Sequence, residues 1–209
     1  MSTRETLLTG WARVRGEMGQ NERAKPMSTP ADPRPLAGEP LPLDLVNTRW
    51  TDDDGAHDLL ESPGGLAIWL SSAGLAETVP QSQETLDALV TTREALFGLL
   101  QPESINPRRD RELLNETLRH GCFRRSLGEH GSERKVETDS PGWLAAWQAA
   151  EHYLRLLEDN PSRIRKCANP ECPLRFYDVS KAGGRRWCSM ATCGNRAKSR
   201  SHYARNHRG

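Results

Sequence analysis

Four of the five cysteines of this chain stand in two matched arms, Cys167-Ala-Asn-Pro-Glu-Cys172 and Cys188-Ser-Met-Ala-Thr-Cys193, giving the spacing C-x4-C-x15-C-x4-C. Two such arms are close relatives of the patterns that bind tetrahedral zinc. Four thiolates close the coordination shell and leave no position for water or substrate, so the metal expected is one structural Zn2+ per chain, held by Cys167, Cys172, Cys188 and Cys193. The 43 residues from Cys167 to Gly209 contain few large apolar side chains: Leu174, Phe176, Tyr177, Val179, Trp187, Met190 and Tyr203. That is too little to build a core alone. Bound zinc contributes roughly 10 to 16 kcal/mol of folding free energy to such modules and replaces the missing burial.

Disulfides are the competing use of paired cysteines. Met1 to Gln20 carries Arg4, Glu5, Arg13, Arg15 and Glu17 and has no uninterrupted apolar stretch. It does not read as a signal peptide, and the expected location is the cytoplasm, where thiols stay reduced. The C-x-x-C spacing of redox pairs is also missing. Cys122, in Gly121-Cys122-Phe123, reads as a small core or hairpin residue rather than a nucleophile.

Charge divides the chain at Pro161. From there to Gly209 there are twelve Lys or Arg and two acidic residues, a formal +10, whereas residues 1–160 carry seventeen basic and twenty-six acidic side chains, a formal −9. Zinc with four thiolates adds −2, leaving about +8 on the folded C-terminal part. Such asymmetry implies a polyanion partner for the basic half, nucleic acid above all.

Arg186-Trp-Cys-Ser-Met-Ala-Thr-Cys-Gly-Asn-Arg196 closely resembles the CGNR zinc finger family, whose name is spelled by Cys193-Gly194-Asn195-Arg196. Arg165-Lys-Cys-Ala-Asn-Pro-Glu-Cys172 is similar to the first arm of that family. Leu41-Pro-Leu-Asp-Leu-Val-Asn-Thr48 is similar to the opening of ABATE domains, and Leu66-Ala-Ile-Trp-Leu-Ser-Ser-Ala-Gly-Leu75 to their next helix. The resemblance implies a bacterial transcription regulator in which an N-terminal domain senses stress-related signals and precedes the finger.

The expected fold is mainly α (α+β): a helical N-terminal domain with a small β-hairpin, then a C-terminal four-cysteine, treble-clef-like zinc finger. Residues 1–40 read as a mobile extension, 41–160 as an ABATE-like helical domain and 161–209 as the finger. Leu7, Trp11, Val14 and Met18 line one side of a short helix in the extension, ahead of five prolines, and Met27-Ser-Thr-Pro looks like an alternative translation start, so residues 1–26 carry no functional expectation. Ser62, Pro63 and Gly74 predict the cap, first turn and end of one helix; a second starts near Ser82 and stops at Pro102; Asn106-Pro107 opens a third, running to Gly121. Cys122 to Thr138 reads as a β-hairpin. Ser140-Pro141 opens the last body helix, with an apolar stripe of Trp143, Trp147, Ala150, Leu154 and Leu157. In the finger, Leu174–Asp178 reads as a strand, Ser180–Gly184 as its turn and Arg185–Trp187 as the return strand delivering Cys188 to a helix start. Either Ser189 or Asn195 fits as the cap of that helix.

The finger's donors are the expected nucleic-acid contacts: Arg185 and Arg186 from the hairpin, and Arg196, Lys198, Arg200 and Arg205 from the helix. Arg196 and Asn195 suit hydrogen bonds to zinc thiolates or backbone equally well. Asp52-Asp53-Asp54 with His57 and Asp58 is the one body cluster suggesting catalysis or a second metal, and a solvated loop before a helix accounts for it. With no Gly-rich phosphate loop, nucleophile motif or Ser/His/Asp arrangement, the chain does not read as an enzyme. No apolar run approaches the ~18 residues of a membrane span. The function expected is DNA-binding transcriptional regulation, with the helical domain as sensor or oligomerisation module, and a zinc-stabilised protein-docking adaptor as the alternative. One small finger makes few base contacts, so a homodimer or a transcription-machinery protein is the expected further partner. No small-molecule ligand is legible.

Overall fold

A six-residue helix that is buried all round sits at the hub of the fold. This is α1 (Leu41–Val46), in which Pro42, Leu43, Asp44, Leu45 and Val46 are all inaccessible. The computed structural model describes residues 31–101 and 104–199. The buried carboxylate of Asp44 accepts from Arg34 Nη1 and from the Gly38 N–H, each at 2.7 Å. Arg34 is itself buried and paired with Asp32. The described end of the proline-rich stretch is therefore pinned to α1 rather than trailing as an extension. Residues 1–30, including the short helix expected around Trp11, lie outside the described residues.

After α1 comes a hairpin of β1 (Arg49–Asp52) and β2 (Gly55–Asp58), with Asp53 and Asp54 at its tip. Ser62 does not cap α2 (Gly65–Ser72) as expected. Its hydroxyl donates back to the carbonyls of Asp58 and Leu59, closing a 3-10 turn over Leu59–Glu61, and Gly64 in the left-handed region (φ +72°) precedes the helix instead. A Cβ on Gly65 would lie 1.6 Å from the Leu59 carbonyl oxygen, so the close approach of this turn to the helix start requires glycine there. At the other end Gly74 (φ +70°) follows the last turn, as read from the sequence.

The next helices begin where expected, and Asn106 caps the second of them as read from the sequence. Ser82 Oγ accepts from the Thr85 N–H at the start of α3 (Gln83–Leu99), and Asn106 Oδ1 from the Arg109 N–H at the start of α4 (Pro107–Arg119). The hairpin expected over Cys122–Thr138 is present as β3 (Gly121–Gly128) paired with β4 (Gly131–Thr138), and Cys122 is exposed on it. Close approach of this ribbon to α5 (Leu144–Asp159) requires Gly121, where a Cβ would meet the Trp147 ring at 2.8 Å.

The stripe predicted on α5 is displaced. Trp147 and Ala150 are buried, but Leu154 and Leu157 are 38% and 39% exposed, and the covered face runs through Ala146, Ala149, Ala150, Tyr153 and Leu156. Alanines let α5 approach α1 and α3 closely, which rotates the packed face toward them.

In the finger, β6 (Arg175–Tyr177) pairs antiparallel with β5 (Ile164–Lys166), not with Arg185–Trp187 as expected. The return limb carries no ladder; it is held by the Ala168 N–H donating to the Arg186 carbonyl at 2.8 Å. The main apolar cluster runs through both halves, taking in Leu45, Trp69 and Leu89 from the body and Leu174, Phe176 and the four knuckle cysteines from the finger.

Arg93 is 1% exposed, and its Nη1 and Nη2 reach Asp58 at 2.6 and 2.8 Å while Nη1 also bonds Thr48 Oγ1 at 2.8 Å. Its place could be read from spacing, since it follows Leu89 by four residues and precedes Leu96 by three on the buried stripe. Burial by itself would raise the Asp58 carboxyl, but the Arg93 and Arg49 guanidiniums outweigh it and hold the group below the usual carboxylate range. Removing one member of a buried pair strands the other charge, so Asp58→Ala is expected to cost about 3 to 5 kcal/mol in urea unfolding at pH 7. Because the folded-state value is depressed, the native pair's contribution is complete above the unfolded carboxyl value of about 3.9 and disappears as pH falls through the folded one. The stability gap between wild type and Asp58→Ala should therefore narrow on acidification below about pH 4.

Candidate metal centre

Each arm of the finger brings two sulfurs to one point. Cys167 follows β5 and Cys172 precedes β6, so the first knuckle caps the small sheet; Cys188 ends the return limb and Cys193 lies in a helical turn. All four are buried, and their Sγ atoms lie within 4.8 Å of one another. A Zn–S bond of about 2.3 Å sets tetrahedral S···S edges near 3.8 Å. Cys172 Sγ and Cys188 Sγ are 3.8 Å apart. The soft donor set and the spacing both fit one structural zinc, and no fifth donor competes for the site among the described residues.

Without a cation this cluster is electrostatically frustrated. The hydrogen bond shared by the Cys172 and Cys188 sulfurs holds Cys172 down to about 6, while the same contact and burial push Cys188 far up. Burial also raises Cys193. Four adjacent sulfurs cannot all ionise alone, and a divalent cation removes that obstacle. Donors already face the sulfurs: Asn169 Nδ2 to Cys193 at 3.6 Å, the Cys188 N–H to Cys167 at 3.5 Å and the Leu174 N–H to Cys172. Such bonds orient thiolates and spread their charge.

Of the two caps left open by the sequence, the structure selects Ser189, whose Oγ accepts from the Thr192 N–H. A π-helical turn, Met190–Gly194, carries Cys193 inward, and residues 195–199 continue as α-helix. Asn195 Nδ2 donates to the Ala191 carbonyl at 3.2 Å, a structural bond within this turn.

The expected nucleic-acid contacts separate by environment. Arg185 is engaged internally: it stacks 4.2 Å from the Phe176 ring centroid, donates to the carbonyls of Trp187 and Cys188, and pairs with Glu39 at 3.0 Å. Arg186 is exposed beside Trp187, and Lys198 is exposed on the helix. Arg196 reaches Asp53 at the β1–β2 tip at 3.2 Å, with the aspartate 89% exposed, so the pair is weak. Arg200 and Arg205 lie outside the described residues. In the acidic cluster His57 pairs with Asp52 and stacks on Trp50, and Asp58 belongs to the Arg93 network.

Sequence reasoning missed the seam that joins finger to body. Asn47 Nδ2 donates to the Arg175 carbonyl and Asn47 Oδ1 accepts from the Arg175 N–H, both at 2.9 Å. Two residues on, the Tyr177 N–H donates to Glu39 Oε2 at 2.9 Å, and the Tyr177 hydroxyl to Asp159. The ABATE-like motif pointed at this region, but nothing in it names a partner 128 residues away.

The architecture is thus that of a helical body fused through a continuous core to a four-cysteine zinc finger. A family model described as "Putative stress-induced transcription regulator" (ABATE) matches residues 39–160, more than half of the chain, and one described as "CGNR zinc finger" matches residues 163–206. The chain belongs to the ABATE family and carries a CGNR finger. Both descriptions are of regulator and zinc-finger types rather than enzymes. A comparison with curated proteins gives no match. No helix among the described residues is long and apolar enough to cross a membrane.

Two outcomes follow from this geometry. Purified protein should hold one equivalent of zinc, and Cys188→Ser should lower the content well below one while changing Trp187 fluorescence as the return limb loosens. Asn47→Ala leaves two buried backbone groups of β6 unpaired at about 1 to 3 kcal/mol each, so its urea midpoint should fall by the equivalent of about 2 to 6 kcal/mol.

Proposed function

We propose that this protein is a cytoplasmic DNA-binding transcription regulator, in which residues 161–209 form the zinc-stabilised DNA-contacting unit and residues 41–160 a sensing or oligomerising unit. The observation that carries the reading is the exposed cationic surface of the finger. Arg186 and Lys198, together with Lys166 on the finger's first strand, have no carboxylate partner among the described residues. Their charge stands on a part of the chain with a formal +10. The zinc holds the surface rigid, and cations that neutralise phosphates release counterions from DNA. Arg196 is the fourth contact; its weak link to Asp53 is readily exchanged for a phosphate. Arg200 and Arg205 extend the same set, and Arg185 positions the return limb. A homodimer supplies the contacts that one small finger lacks.

The test is a titration of full-length, zinc-loaded protein with duplex DNA over a range of salt. The expected result is a linear fall of log K with log salt, with Arg186→Gln and Lys198→Gln each reducing the slope by about 0.9. Absence of binding by zinc-loaded protein would overturn the DNA reading and favour docking on an acidic protein.

A further inference from the structure

The finger carries a second cationic feature on the side of β5 away from the apolar core. The sequence Arg163-Ile-Arg165 alternates across the start of β5. Ile164 packs against the core, and Arg163 and Arg165 flank it on the other side. There they line an open cleft of about 460 Å³ together with Asn160, Ser162, Lys181 and Gly183.

Both guanidiniums are pre-positioned by one nitrogen. Arg163 Nη1 donates to the carbonyls of Asp178 and Ser180. Arg165 Nη1 donates to the carbonyls of Gly183 at 2.6 Å and Arg185 at 3.3 Å, and to Asp178 Oδ2 at 3.2 Å. The turn that supplies these acceptors is itself fixed, with Gly183 in the left-handed region (φ +60°) and Ser180 capping Gly184 N–H through its hydroxyl. No other protein acceptor meets either guanidinium among the described residues. Each guanidinium has five N–H donors, so the Nε and Nη2 edge of each, the edge that grips a phosphate in bidentate fashion, is left unused. Lys181 is exposed at the same cleft without a carboxylate partner among the described residues.

Among the described residues the only carboxylate lining the cleft is Asp178, which is buried beneath it and accepts from Ser180 N and Oγ and from Arg185 N as well as from Arg165. It neutralises one charge of three. The cleft keeps a net +2 with fixed donors, which is the composition of an oxyanion site.

We propose that the cleft formed by Arg163, Arg165 and Lys181 binds a phosphate group, supplied by the phosphodiester backbone of DNA. The identity of the polymer rests on the DNA-binding reading; the phosphate site itself rests on the cleft. It would give the finger a fixed phosphate anchor in addition to the exposed side chains of its helix, and so fix the register of the helix on the duplex.

The experiment uses full-length, zinc-loaded, ¹⁵N-labelled protein. In one arm inorganic phosphate is titrated at constant ionic strength, and saturable shifts are expected at the amides of Ala182 and Gly183 and at the Arg163 and Arg165 Nε–H signals, weakened in Lys181→Gln. Shifts absent there, or no different from those in a chloride titration, overturn the proposal. In the other arm duplex DNA is titrated against wild type, Lys181→Gln, Lys181→Arg and, as an equal change of charge on the distant β4, Lys135→Gln. Lys181→Gln should lower the salt slope by about 0.9 and Lys181→Arg should restore it, with Lys135→Gln unchanged. Equal behaviour of the two Gln variants rejects the cleft as the DNA anchor. Saturable phosphate shifts without any DNA binding uphold the phosphate site and reject the DNA reading.

Discussion

The amide of Asn47 satisfies both backbone groups of Arg175, and the rest of the molecule depends on that exchange. A strand of three residues cannot stand on its own, yet β6 has a partner on each side: β5 through the regular ladder and the Asn47 side chain in place of a further strand. Glu39 accepts from the next outward N–H and extends the imitation. The finger thereby gains a body-derived edge, and Phe176 enters the common core between them.

The short motif containing Asn47 serves three seams at once. Asp44 gathers Arg34 and the Gly38 N–H, tying down the approach to α1. Asn47 holds the finger. Thr48 accepts from Arg93, whose guanidinium spans to Asp58 at the base of the β1–β2 hairpin. The side chains of Asp44, Asn47 and Thr48 are buried and each is hydrogen-bonded, which is why so polar a segment can occupy the centre of the fold.

Zinc and body share the work of folding the finger. The chain beyond Cys167 has too few apolar side chains for its own core, and the structure resolves this twice over, by clustering four thiolates for a cation and by packing Leu174 and Phe176 into the body. One consequence is mechanical: a finger that shares its core with the body cannot detach without exposing apolar surface. Regulation that frees the whole finger is therefore costly, whereas the exposed Arg196–Asp53 contact at the hairpin tip can break without disturbing the core.

By itself the sequence determined the local elements and the metal chemistry. The cysteine spacing, the helix start near Ser82, the cap at Asn106, the hairpin over Cys122–Thr138 and the helix end at Gly74 all depend on residues near one another in the chain, where spacing and side-chain type suffice. Tertiary structure alone decided the rest. β6 chose Ile164–Lys166 over Arg185–Trp187 because the return limb is drawn to the zinc knuckle; Arg185 was taken from the surface by Glu39 and Phe176; the buried face of α5 turned toward its alanines. Each depends on partners distant in sequence, and local periodicity carries no information about which of several compatible surfaces will meet.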